Sequence, residues 1–354
     1  MKYTFYLPFL MCVYSTLHVS SIHTQSVTIN TIYGDFFISE PVLIELFNHP
    51  IMERIKHVRQ YGISDYIIKQ KFSYTRYEHC VGVWALLRRY GASLEEQIAG
   101  LLHDASHTVF SHVGDTLFQH TCADSSYQDD IHEWYLQHYQ IDDVLTQYHI
   151  PLQNVLAKNG THLMLEQDLP NICADRLEYN LQAGLLTDML TIQDIDLILK
   201  DLEYENGHWF FTDKLIAKKL AVVSLYNTEH VWGTPTDKFI YTITAQALER
   251  ALEINLLTLD DIHFSTDAAV WDKLWISNDP YIMKCLEKIV NYKSEFIVIR
   301  SPHYQTFTTK FRGLDPWIKY NDTLQRLTQL DIEYQQEYNR VHNQVTEGWK
   351  IEII

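Results

Sequence analysis

Two imidazoles and two carboxylates, far apart in the chain, are the side chains best suited to chemistry. His79 stands alone, His103 and Asp104 are adjacent, and Asp175 follows well downstream. A single helical histidine is ordinarily a packing or surface residue. An adjacent His-Asp pair at a helix end differs, because both side chains can reach a shared point where the last turn opens. Mixed nitrogen and oxygen donors suit one divalent ion (Mn, Fe, Ni, Zn or Mg) and leave positions for water and a substrate oxygen. Arg76 lies three residues before His79, on the same helical face, and a guanidinium there can grip a phosphate bidentately. Its competing role is a surface ion pair. His107 falls one helical turn after His103, with His112, Asp115 and His132 further on. An imidazole titrating near neutrality can protonate a departing oxygen.

These residues sit in ordered motifs: Arg76-Tyr77-Glu78-His79, His103-Asp104-Ala105-Ser106-His107, Phe110-Ser111-His112-Val113-Gly114-Asp115, His132-Glu133 and Asp175-Arg176-Leu177-Glu178-Tyr179. Together they resemble the HD-domain phosphohydrolase superfamily, and within it the branch of deoxynucleoside triphosphate triphosphohydrolases (dGTPase-like) and their uncharacterised bacterial relatives. The resemblance runs from about Ile32 to about Glu253. It implies that His79, His103, Asp104 and Asp175 ligate one divalent metal ion, and that Arg76 binds phosphate. It also implies that His107, His112 and His132 face the phosphate, with Asp115 orienting one of these rings. Tyr179, Lys218 and Tyr226 fall where the family contacts phosphate, sugar or nucleotide, although a core aromatic is the better reading of Tyr226. The sequence also departs from the family. Ser106-His107-Thr108-Val109-Phe110 replaces a stretch rich in glycine and proline, Ala183 replaces an acid that helps hold the sugar, and Val222 replaces a histidine. Deoxynucleoside triphosphate specificity therefore does not follow.

Such residues need helices to bring them together, and the chain reads as mainly α. Pro41 and Pro50 suit first helical turns, the second running to Gly62. Thr75 caps a helix that continues to Tyr90. Ser93 and Glu96 form a capping box before Ile98 and Leu101. Further helices are expected over Asp130–Tyr139, Asn171–Leu186, Thr191–Leu202, Asp213–Tyr226 and Asp237–Leu256. Asn206-Gly207 marks a two-residue hairpin turn between Leu202–Glu205 and His208–Thr212. Phe296–Arg300 and Trp349–Ile354 read as strands. The expected fold is an HD-domain helical core over residues 28–260 with a β-hairpin insertion, followed by a small α+β C-terminal region over 261–354.

Composition narrows the function. Among 354 residues, 28 are basic and 45 acidic, a formal charge of −17 that repels nucleic-acid polymers and anionic lipid. An anionic substrate must be attracted locally, by a metal or by placed Arg and Lys. Lys2, the apolar run from Phe5 to Leu17 and the small residues Val19-Ser20-Ser21 read as a signal peptide over residues 1–21, favouring a secreted or periplasmic location over a cytoplasmic one. No stretch is apolar enough to span a membrane as a helix. The five cysteines form no metal or disulfide pattern. The expected function is a metal-dependent phosphohydrolase that cleaves a small phosphate ester, a nucleotide first among the candidates, with a metal-activated water. The alternative is a catalytically weak module that binds metal and nucleotide for regulation or assembly, as a homo-oligomer for example. A degenerate zinc-protease helix at His103–His107 is disfavoured, because Asp104 stands where that motif needs a glutamate.

Overall fold

The computed structural model describes residues 26–68, 71–119, 126–158, 160–299, 307 and 309–353. The expected signal peptide lies outside them. A hairpin, β1 (Val27–Thr31) and β2 (Gly34–Ile38), opens the described chain and was not anticipated. Helix α1 (Pro41–Phe47) begins at its proline, and so does α2 (Pro50–Ile55). The second ends well before Gly62. There the chain turns back, Gln60 N donating to Tyr74 O at 2.9 Å. Gly62 has φ +53°, and a Cβ there would collide with the Phe110 carbonyl, so this close approach requires glycine.

Helix α3 (Arg76–Arg89) has a complete capping box. Thr75 Oγ1 accepts from Glu78 N, and Thr75 N donates to Glu78 Oε2 at 2.7 Å. Its residues Cys80, Val83, Trp84 and Leu87 are fully buried, so the helix is fixed on most sides. Helix α4 (Leu94–Leu102) is capped by Ser93, but the expected reciprocal bond is missing. Glu96 instead accepts from Met164 N and Leu165 N at 2.8 and 3.0 Å, tying down the loop before the next site helix. Helices α5 (Val113–Leu117), α6 (Tyr127–His138) and α7 (Ala174–Leu186) follow.

Strands β3 (Leu202–Glu205) and β4 (His208–Phe211) form the anticipated hairpin, and both Asn206 and Gly207 have positive φ, as a type I′ turn requires. Helices α8 (Lys214–His230), α9 (Pro235–Glu253) and α10 (Pro280–Val290) lead to β5 (Phe296–Ile299). Strands β6 (Trp317–Tyr320) and β7 (Thr323–Arg326), helix α11 (Ile332–Glu347) and β8 (Lys350–Ile353) complete the described chain. β5 pairs with β8 as the apolar runs suggested. β6 lies parallel to β4 in a sheet ordered β3-β4-β6-β7. The chain is thus mostly helical but not all-helical.

One core joins α3, α4 and α7 with Leu314, Ile318, Tyr334, Val341 and Trp349 from the C-terminal end. A second gathers α9 and α10 around Phe110 and Val113. Both mix residues from either side of position 260, so the expected break there does not divide one core from the other. Three cysteines are described, Cys80, Cys173 and Cys285, and all are buried and unpaired. Among the described residues no helix is long and apolar enough to cross a membrane.

Candidate metal centre and its cavity

His79 projects from the first turn of α3, His103 and Asp104 from the end of α4, and Asp175 from the first turn of α7. Packing of these three helices brings His79, His103 and Asp175 into one cluster, with Asp104 at its edge. His79 Nε2 lies 3.1 Å from His103 Nε2, 3.0 Å from Asp175 Oδ1 and 3.5 Å from Asp104 Oδ2. His103 Nε2 lies 3.6 Å from Asp175 Oδ1 and 3.7 Å from Asp104 Oδ1. Neighbouring ligand atoms on a six-coordinate ion with bonds of about 2.1 Å are about 3 Å apart, so a small inward movement closes the set.

The atoms behind the rings show what the front must hold. His79 Nδ1 lies 2.6 Å from Glu178 Oε2, and His103 Nδ1 lies 2.7 Å from the Gly100 carbonyl. Each acceptor keeps its proton on Nδ1, which turns two Nε2 lone pairs and two carboxylates toward one another. That arrangement needs a cation, and the residues fit a divalent one. Glu178 is fully buried and also accepts from Tyr33 Oη at 2.9 Å and from Tyr74 Oη. Gly82 gives it room, since a Cβ there would collide with Glu178. Burial alone would lower His79, but hydrogen bonds with Asp175 and Glu178 and the charges of Glu178 and Asp104 raise it to about 10.

Arg76 is buried, and each part of its guanidinium is engaged. Nη1 donates to Asp104 Oδ2, Nε to Ser111 Oγ at 3.1 Å and Nη2 to the Gln60 carbonyl at 3.3 Å. It lines the cavity, but it holds Asp104 rather than standing free for phosphate. His107 is buried with Nε2 3.4 Å from Asp104 Oδ1, and burial with the nearby Arg76 charge lowers it to about 3. His112 also lines the cavity. Its Nδ1 is 2.9 Å from Asp115 Oδ2, and Asp115 accepts further from Tyr127 N at 2.9 Å. Burial opposes ionisation of Asp115, yet the His112 bond and charge hold it well below the usual carboxylate range.

His132 lies behind the cavity wall. Its Nδ1 meets Ser106 Oγ at 2.9 Å, and burial lowers the ring to about 4. Tyr179 lines the cavity with its ring edge-on to Trp232 at 4.8 Å. Two expectations fail on geometry. Lys218 sits on the outer side of α8, 3.0 Å from both Asp331 oxygens, and Tyr226 is 40% exposed beside His230; neither reaches the cavity. The helical phase of α8 points both away.

The cavity has a volume of about 510 Å³. Its wall includes residues that the motifs did not single out, among them Trp232 and Tyr241, and the cations Lys158, Arg176, Lys310 and Arg312. Arg176 and Glu178 lay inside a quoted motif without a role. The i, i+3 spacing of Asp175 and Glu178 was the available signal, because it puts both on one helical face.

A sequence profile of the HD domain matches residues 76–141. Over 260 residues the chain is 33% identical to the uncharacterised protein YdhJ of Bacillus subtilis, covering 73% of this chain and 78% of that one. It is 29% identical over 299 residues to the metal-dependent phosphohydrolase cns2 of Cordyceps militaris, covering 80% and 82% of the two chains. A shorter stretch of 93 residues is 32% identical to the deoxynucleoside triphosphate triphosphohydrolase SAMHD1 of Danio rerio, covering 22% of this chain and 15% of that one. The crystal structure of a phosphohydrolase from Bacteroides thetaiotaomicron shares the fold, with a TM-score of 0.67 at 15% identity over 92% of this chain and 98% of that one. The chain belongs to the HD-domain family and is a metal-dependent phosphohydrolase.

Proposed function

We propose that the protein hydrolyses the phosphate ester of a nucleotide at the centre formed by His79, His103, Asp104 and Asp175. The single observation that carries this reading is the cluster of His79, His103 and Asp175, with Asp104 3.5 Å from His79, on the wall of a cavity that also presents aromatic rings. A divalent ion supplies, when bound, Lewis acidity toward a phosphoryl oxygen and a water acidified toward neutrality. The chain's own residues do the rest. Arg76 and His107 hold Asp104 from two sides and fix its oxygens toward the centre. His112 is the proton donor to the leaving oxygen. Its Nδ1 is committed to Asp115, and Nε2 is the ring nitrogen without a partner among the described residues. Asp115 orients that ring. Trp232 and Tyr241 offer apolar faces against which a base can lie. The short stretch similar to SAMHD1 supports a nucleotide without specifying which.

The test is phosphate release by the full-length chain with Mn, Fe, Ni, Co or Mg, offered nucleoside mono-, di- and triphosphates and a non-nucleotide phosphomonoester. Metal-dependent release that favours nucleotides is expected. No release with any metal overturns the reading, and nucleotide binding without product identifies the module as a catalytically weak one.

A further inference from the structure

We propose that Lys158, Arg176, Lys310 and Arg312 form an anion subsite beside the metal centre that holds a second phosphoryl group of the substrate. The proposal rests on the hydrolytic reading of the same cavity, and it changes where the phosphate-binding cations come from. Lys218, the cation expected from the motifs, is spent on Asp331 outside the cavity.

Three separate parts of the chain deliver the four charges to one wall: the loop at Lys158, the first turn of α7 at Arg176, and the segment carrying Lys310 and Arg312. That last segment is held in place. Thr309 packs on Gly233, where an added Cβ would lie 2.8 Å from the threonine Cβ. Phe311 packs against Tyr338 and His342 of α11, with ring centroids 5.0 and 4.9 Å away. Leu314 N donates to Ser224 Oγ at 2.9 Å. The backbone carrying Lys310 and Arg312 is therefore fixed, while the Lys158 and Lys310 side chains are exposed.

The acids nearby do not balance them. Asp129 lies 3.3 Å from Lys158, and Glu166 lies 4.0 Å from Lys158 and 3.9 Å from Arg176. Those two acids serve the first two cations. Lys310 and Arg312 have no carboxylate within 4.0 Å among the described residues. Lys310 is exposed, yet partial desolvation and the charges of Arg312, Arg176 and Lys158 push its amine down, against the opposing charge of Glu166. In a chain of net charge −17, gathering mutually repelling cations at one cavity wall is unfavourable unless an anion relieves it.

A phosphoryl group matches this donor set best. Its several oxygens can take ammonium and guanidinium donors at once, and planar guanidinium forks suit it. Arg176 follows the ligand Asp175 in the chain, so the subsite abuts the metal centre. A phosphoryl joined directly to the scissile one spans both.

The test compares two probes by titration calorimetry on the metal-loaded, full-length protein: adenosine 5′-monophosphate and the non-hydrolysable α,β-methylene analogue of adenosine 5′-diphosphate. The wild type is expected to bind the diphosphate analogue at least about tenfold more tightly. In Lys310→Ala/Arg312→Ala that ratio falls to within about twofold of unity, while Lys218→Ala keeps the wild-type ratio. Lys310→Glu, at an exposed position, repeats the test without a burial change and lowers the ratio further. A wild type without the preference, or a double variant that keeps it or weakens both probes equally, overturns the proposal. Failure of the hydrolytic reading shows separately, as absent phosphate release, and leaves these binding ratios readable.

Discussion

His79, His103 and Asp175 sit on helical turns and are held from behind, His79 by Glu178 and His103 by the Gly100 carbonyl. Elsewhere in the cavity lining, Lys158, Trp232, Lys310 and Arg312 sit on connecting segments brought together from distant parts of the chain. The first region has acidic donors packed into a buried nest, and the second has aromatic rings and cations open to a cavity. Reaction chemistry needs donor atoms placed to within fractions of an ångström, which rigid helices and buried hydrogen bonds provide. Recognition tolerates looser placement and can be rebuilt on loops. On the proposed reading, the buried nest sets rate and metal affinity, and the rings and cations set substrate affinity.

Removing a member of the nest is the sharpest way to break that division. Asp175→Asn takes away one anionic ligand and should lower turnover by about three orders of magnitude or more, with metal content by elemental analysis falling in parallel. Retained metal and turnover would remove Asp175 from the centre. Glu178→Gln tests the support behind the nest. It keeps the shape but loses the acceptor that holds the His79 tautomer, so metal affinity should fall by about 10–100-fold, as read by competition with a chelator. Unchanged affinity would make Glu178 a packing residue only.

Among the aromatic rings, Trp232→Ala should raise KM by about tenfold for a nucleotide and leave the metal affinity alone. A fall in kcat with KM unchanged would place Trp232 with the chemistry instead. A separate effect, on stability, concerns Asp65, whose two oxygens are buried without hydrogen-bond partners among the described residues. Burial raises its folded-state pKa to about 7, against about 3.9 in an unfolded chain. Below about pH 4 both states are protonated and no stability is lost. Between about pH 4 and pH 7 the unfolded chain ionises first, so stability falls as pH rises. Asp65→Asn should therefore stabilise the protein at pH 8, on the order of 2–4 kcal/mol, and do nothing at pH 4. Urea melts at the two pH values check this, and equal effects at both would put the cost elsewhere.

Local signals explain most of what could be read without coordinates. Thr75 with Glu78, the proline at each of two helix starts, and Asn206-Gly207 act within a few residues, so their consequences are visible in the chain. Ser93 with Glu96 carries the same local signal, yet Glu96 is drawn off by the backbone at Met164 and Leu165. That partner is distant in the chain, and nothing near Glu96 announces it. Lys218 and Tyr226 failed similarly, because α8's rotation about its own axis is set by packing against neighbouring helices.

The sequence by itself determined the four donors, their neighbouring histidines and the mainly helical scaffold, since residue type and short spacing fix what a side chain can donate or accept. Only the tertiary structure decided that Arg76 binds Asp104, that Glu178 stands behind His79, and that Lys310 and Arg312 share a cavity with Asp175. Those outcomes depend on which segments pack together. Burial energy summed over both cores sets that packing, and no single motif encodes it.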